Sequence, residues 1–334
     1  MKSFALFIAC TLSLVFSAPA RAVDISQPDV RAFIDHMVDT YHYPRKKLDR
    51  LLSETPINQA LIDALTHPAE SLPWYKYRAI FVRPARIEAG RTFLATQSRA
   101  LDAAHKTYGV PQAIIAALIG MESFYGKHEG SHSALQALTT FSFGYPRRAT
   151  FFRSELSAFL ILCRDNGFNP TRLKSSYAGA LGAGQFMPSS YRHYAVDADG
   201  HGIDLFHNWD DITASVANYL AQHGWRRDQP IAAPAALPEG LDPTDLLGRK
   251  MTVHSLRTLG VAFEAPVPAT APVRLVQVEL RHKTRYWVGL PNFSVLMTYN
   301  RSPLYALAAT QLAVAMQTAP AAKSAAHALA TDRP

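Results

Sequence analysis

The chain has 334 residues, a formal net charge of +8 and two cysteines. That length accommodates one large domain or two closely associated ones, and an apolar content of 48% excludes an unfolded or fibrous chain. The positive balance suits a polyanionic partner, yet no lysine- or arginine-rich run with interleaved aromatics exists, which argues against nucleic acid.

The first residues have the pattern of an export signal. Lys2 supplies the positive start, Phe4 to Phe16 the apolar core, and Ala20-Arg21-Ala22 a small-x-small cleavage site. The apolar run is too short to span a bilayer securely and no later segment does so. The expectation is therefore a periplasmic protein exported by a signal peptide over 1–22 and cleaved after Ala22. Lipidation at Cys10 is the lesser alternative, because few apolar residues precede it. Cys163 then remains as the one thiol of the mature chain, so no internal disulfide forms. It follows Phe152, Leu156 and Phe159 on a helical stripe and reads as a buried apolar residue.

Residues 23–107 read as an N-terminal helical region. Val30, Phe33, Ile34, Met37 and Val38 give Asp29 to Tyr41 an amphipathic pattern. Pro44, Pro56, Pro68, Pro73 and Pro84 then cut the chain into short pieces, and Glu88 to Lys106 forms one further helix. A central region is expected over 108–231, the part that the resemblance given below makes the catalytic core. Its central stretch runs from Val110 to Gly126, with Pro111 at a first helical position and Gly126 ending the helix. Glu122 lies seven, four and three residues beyond Ile115, Leu118 and Ile119, which puts it on their apolar stripe. A carboxylate there loses solvation, so its pKa is expected to rise, as a general acid near neutral pH requires. On periodicity alone, a structural Glu held by an arginine ranks ahead of that role; its neighbours alter the ranking.

Further helices are expected from Ala149 to Asp165 and over 211–222, with a small-residue, close-approach loop at Ala178 to Gly184 between them. The region 232–318 reads as a C-terminal unit of mixed helical and strand pieces. Ala232 to Pro243 and Pro266 to Pro272 look like connectors, flanking a helical piece around Leu246 to Leu259. Three short strands are expected: the alternating Val276, Val278 and Leu280, then Tyr286 to Val288, then Phe293 to Tyr299. Ser302-Pro303 is an N-cap and first-turn pair opening a last helix through Met316. Residues 319–334 are alanine-rich and expected to be disordered. The fold class is mainly α with a small β region, an α+β arrangement.

Four constellations bear on chemistry. His128-Glu129-Gly130-Ser131-His132 fits the zinc-protease pattern H-E-x-x-H, but that chemistry needs a regular helix. Gly126, Gly130 and Ser131 oppose one, so the segment reads as a solvated loop. Tyr145-Pro146-Arg147-Arg148 is an exposed basic patch or a holder of ligand oxygens. Ser175 to Ser190 sets Ser176 and Gln185 around glycines, with Phe186 able to stack on a sugar face and Met187 beside it; a packed loop-to-helix junction explains it about as well. Asp197-Ala198-Asp199-Gly200-His201-Gly202-Ile203 resembles the start of a calcium loop, with Ile203 offering a carbonyl and Asp211 a late carboxylate. A metal-free acidic turn is nearly as good a reading.

Together these stretches resemble the lytic murein transglycosylase B family, from about Trp74 to Met316. The most specific parts are I-G-M-E-S-F-Y-G around Glu122, S-F-G-Y-P-R-R around Arg147, and S-Y-A-G-A-L-G-A-G-Q-F-M-P-S-S-Y; S-V-A-N-Y and T-Y-N-R-S add to them. The resemblance implies a lysozyme-like, mainly helical fold whose groove binds the glycan strands of peptidoglycan. It implies Glu122 as the single catalytic acid/base, with Tyr77, Arg147, Arg148, Ser176, Gln185, Phe186, Met187, Tyr219, Asn300 and Tyr305 at groove positions. It also implies cleavage between N-acetylmuramic acid and N-acetylglucosamine with formation of 1,6-anhydro ends, without a catalytic cofactor. The acidic turn matches the family's structural calcium loop, except that His201 replaces its usual acid. Rival readings are a hydrolytic muramidase using Glu155 as a second carboxylate, a catalytically silent wall binder, and a zinc peptidase using His128 and His132.

Overall fold

The computed structural model describes residues 22–65 and 72–318; the export segment up to Arg21, Pro68 and the tail from 319 lie outside these residues. Prolines open many of the helices, because the fixed φ suits a first turn whose N–H needs no partner. α1 (Pro28–Tyr41) begins in this way and is followed by α2 (Arg45–Ser53), α3 (Gln59–Leu65) and α4 (Trp74–Phe81). The single helix expected over Glu88 to Lys106 is instead two, α5 (Pro84–Thr96) and α6 (Ser98–Tyr108), broken at Gln97. Thr96 donates its hydroxyl to the Phe93 carbonyl at the break, the local competition that disfavours helix interiors.

α7 (Gln112–Ser123) is the centre of the molecule. Every residue from Ala113 to Met121 is buried, so the expected stripe is in fact an all-round apolar helix. Burial of Ile115, Leu118 and Ile119 stabilises the fold by about 2 kcal/mol each. Pro111 caps this helix rather than occupying its first turn. Beyond it come β1 (His132–Ser133), α8 (Ala134–Gly144), a 3-10 turn at Pro146–Arg148, α9 (Ala149–Asp165), β2 (Lys174–Ser175), α10 (Pro188–Tyr194) and α11 (Trp209–Gln222). β1 and β2 form a two-residue antiparallel pair.

The region after 231 departs most from expectation. Ala232 to Pro243 is not a plain connector: β3 (Ala232–Ala235) pairs with a neighbouring strand, and Pro234 is tolerated because β3 is an edge. β4 (Met251–Thr252) leads into α12 (Val253–Thr258), which a capping box between Thr252 and Ser255 starts later than the expected Leu246. β5 (Pro272–Glu279) and β6 (Thr284–Gly289) form a hairpin, giving an antiparallel sheet of order β3-β6-β5-β4. The expected third strand is instead helix α13 (Pro291–Tyr299), which Pro291 opens and whose Phe293 and Leu296 are buried. α14 (Pro303–Gln317) follows.

The sheet is used on both faces. Val276, Val278 and Trp287 join the main core, while Val273, Leu275 and Val288 join Val253, Leu256 and Val261 in a smaller one. This is the alternation a pleated strand imposes. α14 returns across the molecule to pack on α4, α5 and α7. Among the described residues no helix is long and apolar enough to cross a membrane.

Candidate active site

Glu122 is the penultimate residue of α7 and is half-buried. The helix does not run on to Gly126. It ends at Ser123, and Phe124, Tyr125 and Gly126 follow with φ of 53°, 61° and 80°. For the two non-glycine residues that left-handed backbone costs about 1–2 kcal/mol each, so packing must hold it. Tyr125 supplies the hold. Its hydroxyl donates to the Arg86 carbonyl at 3.2 Å, and its ring lies in a notch cut by two glycines. A Cβ on Gly120 would stand 2.5 Å from the ring, and one on Gly90 would overlap the Tyr125 oxygen and Met316. Ser123 completes the turn, donating to the Ile119 carbonyl and accepting from Gly126 N–H.

A group of tyrosines surrounds the carboxylate. The Ser302 side chain accepts from Tyr305 N–H and caps α14, which puts Tyr305 in the first turn. Its hydroxyl then donates to Glu122 Oε1 at 2.5 Å. Tyr77 on α4 is buried and close enough to Tyr305 to affect its ionisation. Tyr299, half-buried at the end of α13, donates to the Gly184 carbonyl at 2.6 Å. Burial, and secondly the Glu122 charge, hold the Tyr299 and Tyr305 pKa values well above the usual tyrosine range. Both therefore stay neutral donors. Tyr299 is absent from the residues expected at the site; the signal was available in T-Y-N-R-S, one position before Asn300.

Tyr219 donates to the Thr298 carbonyl at 2.8 Å and stacks on His223 with centroids 4.1 Å apart. Phe186 packs against Tyr219 and Tyr299 and is 3% exposed. That corrects the expectation of a sugar-stacking face: the ring is a packed wall. Gln185, with φ of 52°, donates its amide to the carbonyls of Gly182 and Glu129. Ser176 accepts from Ala180 N–H and so closes its own loop. Met187 is half-buried at the start of α10. Asn300 accepts from Ser302 N–H. Arg147 and Arg148 are exposed on the 3-10 turn, with Arg148 stacked on Phe151 at 4.3 Å.

Glu155 is buried, but it is tied elsewhere. Its two oxygens accept from the Ser189 backbone N–H and hydroxyl at 2.9 and 2.6 Å, capping α10 from outside. His128 lies in an irregular turn and His132 in β1. The H-E-x-x-H run thus lacks the helix its chemistry needs.

In the acidic turn, carboxylate oxygens of Asp197, Asp199 and Asp211 lie within 4.8 Å of one another. Asp211 is buried in the first turn of α11 and accepts from Ala198 and Asp204 N–H groups. Burial, and then the charges of Asp199 and Asp197, raise its pKa despite those bonds. Three hard oxygen donors fit a divalent cation of the calcium type. The His201 ring stands outside this carboxylate group, and its backbone N–H donates to Asp199. That corrects the expected ligand set at one position, since His201 brings no side-chain donor; the Ile203 carbonyl accepts from the Tyr191 hydroxyl and keeps a second lone pair.

Similarity to known proteins extends over most of the chain. Residues 26–314 match the family described as the transglycosylase SLT domain. The chain is 36% identical over 312 residues to the membrane-bound lytic murein transglycosylase B of Escherichia coli K12, covering 88% of this chain and 84% of that protein. Its fold matches the soluble lytic transglycosylase SltB1 from Pseudomonas aeruginosa with a TM-score of 0.80 at 39% identity, over 86% of this chain and 98% of that one. It matches the Escherichia coli lytic transglycosylase Slt35 in complex with calcium with a TM-score of 0.80 at 36% identity, over 89% and 95%.

Proposed function

This chain belongs to the transglycosylase SLT domain family and is a lytic murein transglycosylase, and we propose that Glu122 is its one catalytic acid/base. The observation that carries this reading is the Glu122 carboxylate, half-buried at the end of an apolar helix and held by a neutral tyrosine. The rival second carboxylate, Glu155, is committed to Ser189.

The reaction follows from one carboxyl group working twice. Protonated Glu122 donates to the oxygen linking N-acetylmuramic acid to N-acetylglucosamine. The 2-acetamido carbonyl of the muramic residue stabilises the charge at its anomeric carbon, in place of a second protein carboxylate. The ionised Glu122, supported by the Tyr305 hydroxyl, then takes the proton of the C6 hydroxyl. That oxygen attacks the anomeric carbon and leaves a 1,6-anhydro end, with no water consumed. Arg147, Arg148, Ser176, Gln185, Met187, Tyr219 and Asn300 line the path of the glycan strand, and the buried Tyr77, Phe186 and Tyr305 support it from beneath.

The same reading divides the chain into a helical region over 23–107, a catalytic core over 108–231 and a fold-back unit over 232–318. Export by a cleaved signal delivers the enzyme to the periplasm, where its substrate lies. A structural calcium would be held by Asp197, Asp199 and Asp211 with the Ile203 carbonyl, neutralising carboxylates that otherwise repel. Digestion of purified sacculi followed by mass analysis tests the core of this: anhydromuropeptides are expected, and reducing ends in their place would make the enzyme a hydrolase.

A further inference from the structure

A second concavity of about 660 Å³ lies beside the candidate site, and its lining includes none of the residues assigned to glycan binding. Glu129, Phe168, Arg172, Lys174, Phe206 and His207 are among its walls. Phe168 and Phe206 meet edge to face with centroids 6.0 Å apart, giving an apolar patch. Arg172 and Lys174 are exposed cations that pair with no carboxylate among the described residues. Glu129 is half-buried and offers the opposite charge.

The wall of this cavity touches the candidate site through its backbone. Glu129 O accepts from the Gln185 amide at 3.1 Å. Gly130, with φ of 105°, lies so close to Ser175 that a Cβ there would overlap that residue's carbonyl. Lys174 stands two positions before Ser176, a span of roughly 7 Å of extended chain.

We propose that this cavity binds the peptide stems that branch from the glycan strand, reading their carboxylates with Arg172 and Lys174; the proposal rests on the activity assigned above. Stem peptides branch from the muramic sugars and carry free carboxylates along extended backbone. Three residues reach about 10 Å, enough to cross that wall from a strand seated near Ser176. Guanidinium and ammonium groups match carboxylates, the Phe168–Phe206 corner covers aliphatic side chains, and Glu129 receives an ammonium group. The enzyme thereby discriminates decorated from naked strands at a place remote from the reacting bond.

The test compares the wild-type chain with the double variant Arg172→Gln/Lys174→Gln on two substrates, sacculus strands with stems and the same strands stripped by an amidase. kcat/KM for stemmed strands should fall about three- to tenfold, as for two partly solvated ion pairs, while turnover of stripped strands is unchanged. Equal loss on both substrates, or no loss on either, overturns the proposal. Calorimetry with the free stem tetrapeptide separates it from the parent reading, since that measurement needs no catalysis. The wild type should bind the peptide and the double variant should not; equal binding by both rejects the cavity even where the activity assignment stands.

Discussion

The Tyr305 hydroxyl donates to Glu122 Oε1 at 2.5 Å across 183 positions of sequence. The last helix thereby reaches back to the end of the central one, and the acid is completed only when α14 docks. A donor to the carboxylate favours its ionised form, so Tyr305 supports the carboxylate that Glu122 becomes once its proton is given up.

Tyr305→Phe removes that donor and leaves the ring. The carboxyl then keeps its proton to higher pH, so the alkaline limb of the pH–rate profile moves upward, and kcat falls on the order of tenfold for the loss of one charge-assisted bond. A profile indistinguishable from wild type would show that Tyr305 does not set the acid's ionisation.

Glu122→Gln keeps the shape and the acceptor for Tyr305 while removing the transferable proton. Turnover of sacculi should drop about 10²–10⁴-fold, with the melting temperature and sacculus binding retained. Normal release of anhydro ends by this variant would require another acid.

Glu155→Ala should behave in the opposite way. It strips the cap from Ser189 and α10 and destabilises the fold by about 2 kcal/mol, read as a lowered denaturant midpoint. Products formed by the folded fraction should still be anhydromuropeptides, because Glu155 caps a helix rather than attacking a sugar.

Calcium should raise the melting temperature of the wild-type chain, with about 2.7 kcal/mol of stabilisation at a hundredfold excess over Kd. Asp211→Asn should abolish the increment, whereas His201→Ala should leave it nearly intact, since the imidazole stands outside the carboxylate group. A large effect of His201→Ala would restore that side chain to the ligand set.

Cys163 tests the core. Burial among apolar side chains pushes its thiol up to about 12, so thiolate is scarce at pH 8. A maleimide should leave the native protein unlabelled and react fully once denaturant exposes the chain.

Legibility in the sequence followed the strength of local signals. The helix from Ala149 to Asp165 was readable at both ends, because its apolar spacing runs unbroken to the residues before Gly167. Ser302-Pro303 announced α14 and, through it, the position of Tyr305. Phe293 to Tyr299 deceived because Phe293, Val295, Met297 and Tyr299 fall at alternate positions, although Pro291 just before it marks a helix start. β3 hid in an alanine- and proline-rich run because an edge strand makes little demand on side chains. The packed role of Phe186 was not readable, since Tyr219 and Tyr299 come from distant segments. The Tyr299 hydrogen bond to Gly184 likewise joins residues 115 positions apart.

The left-handed turn after Glu122 has an evolutionary corollary. Its geometry is shared among α5, α7 and α14 through the contacts of Tyr125 with Gly90, Gly120 and Met316. A larger side chain at either glycine demands a smaller one at Tyr125, so these positions drift jointly or not at all. Homologues should therefore vary freely along the rim while this buried quartet changes as a set, and a graft that transplants the acid helix without its two partners will lose the turn that follows the acid.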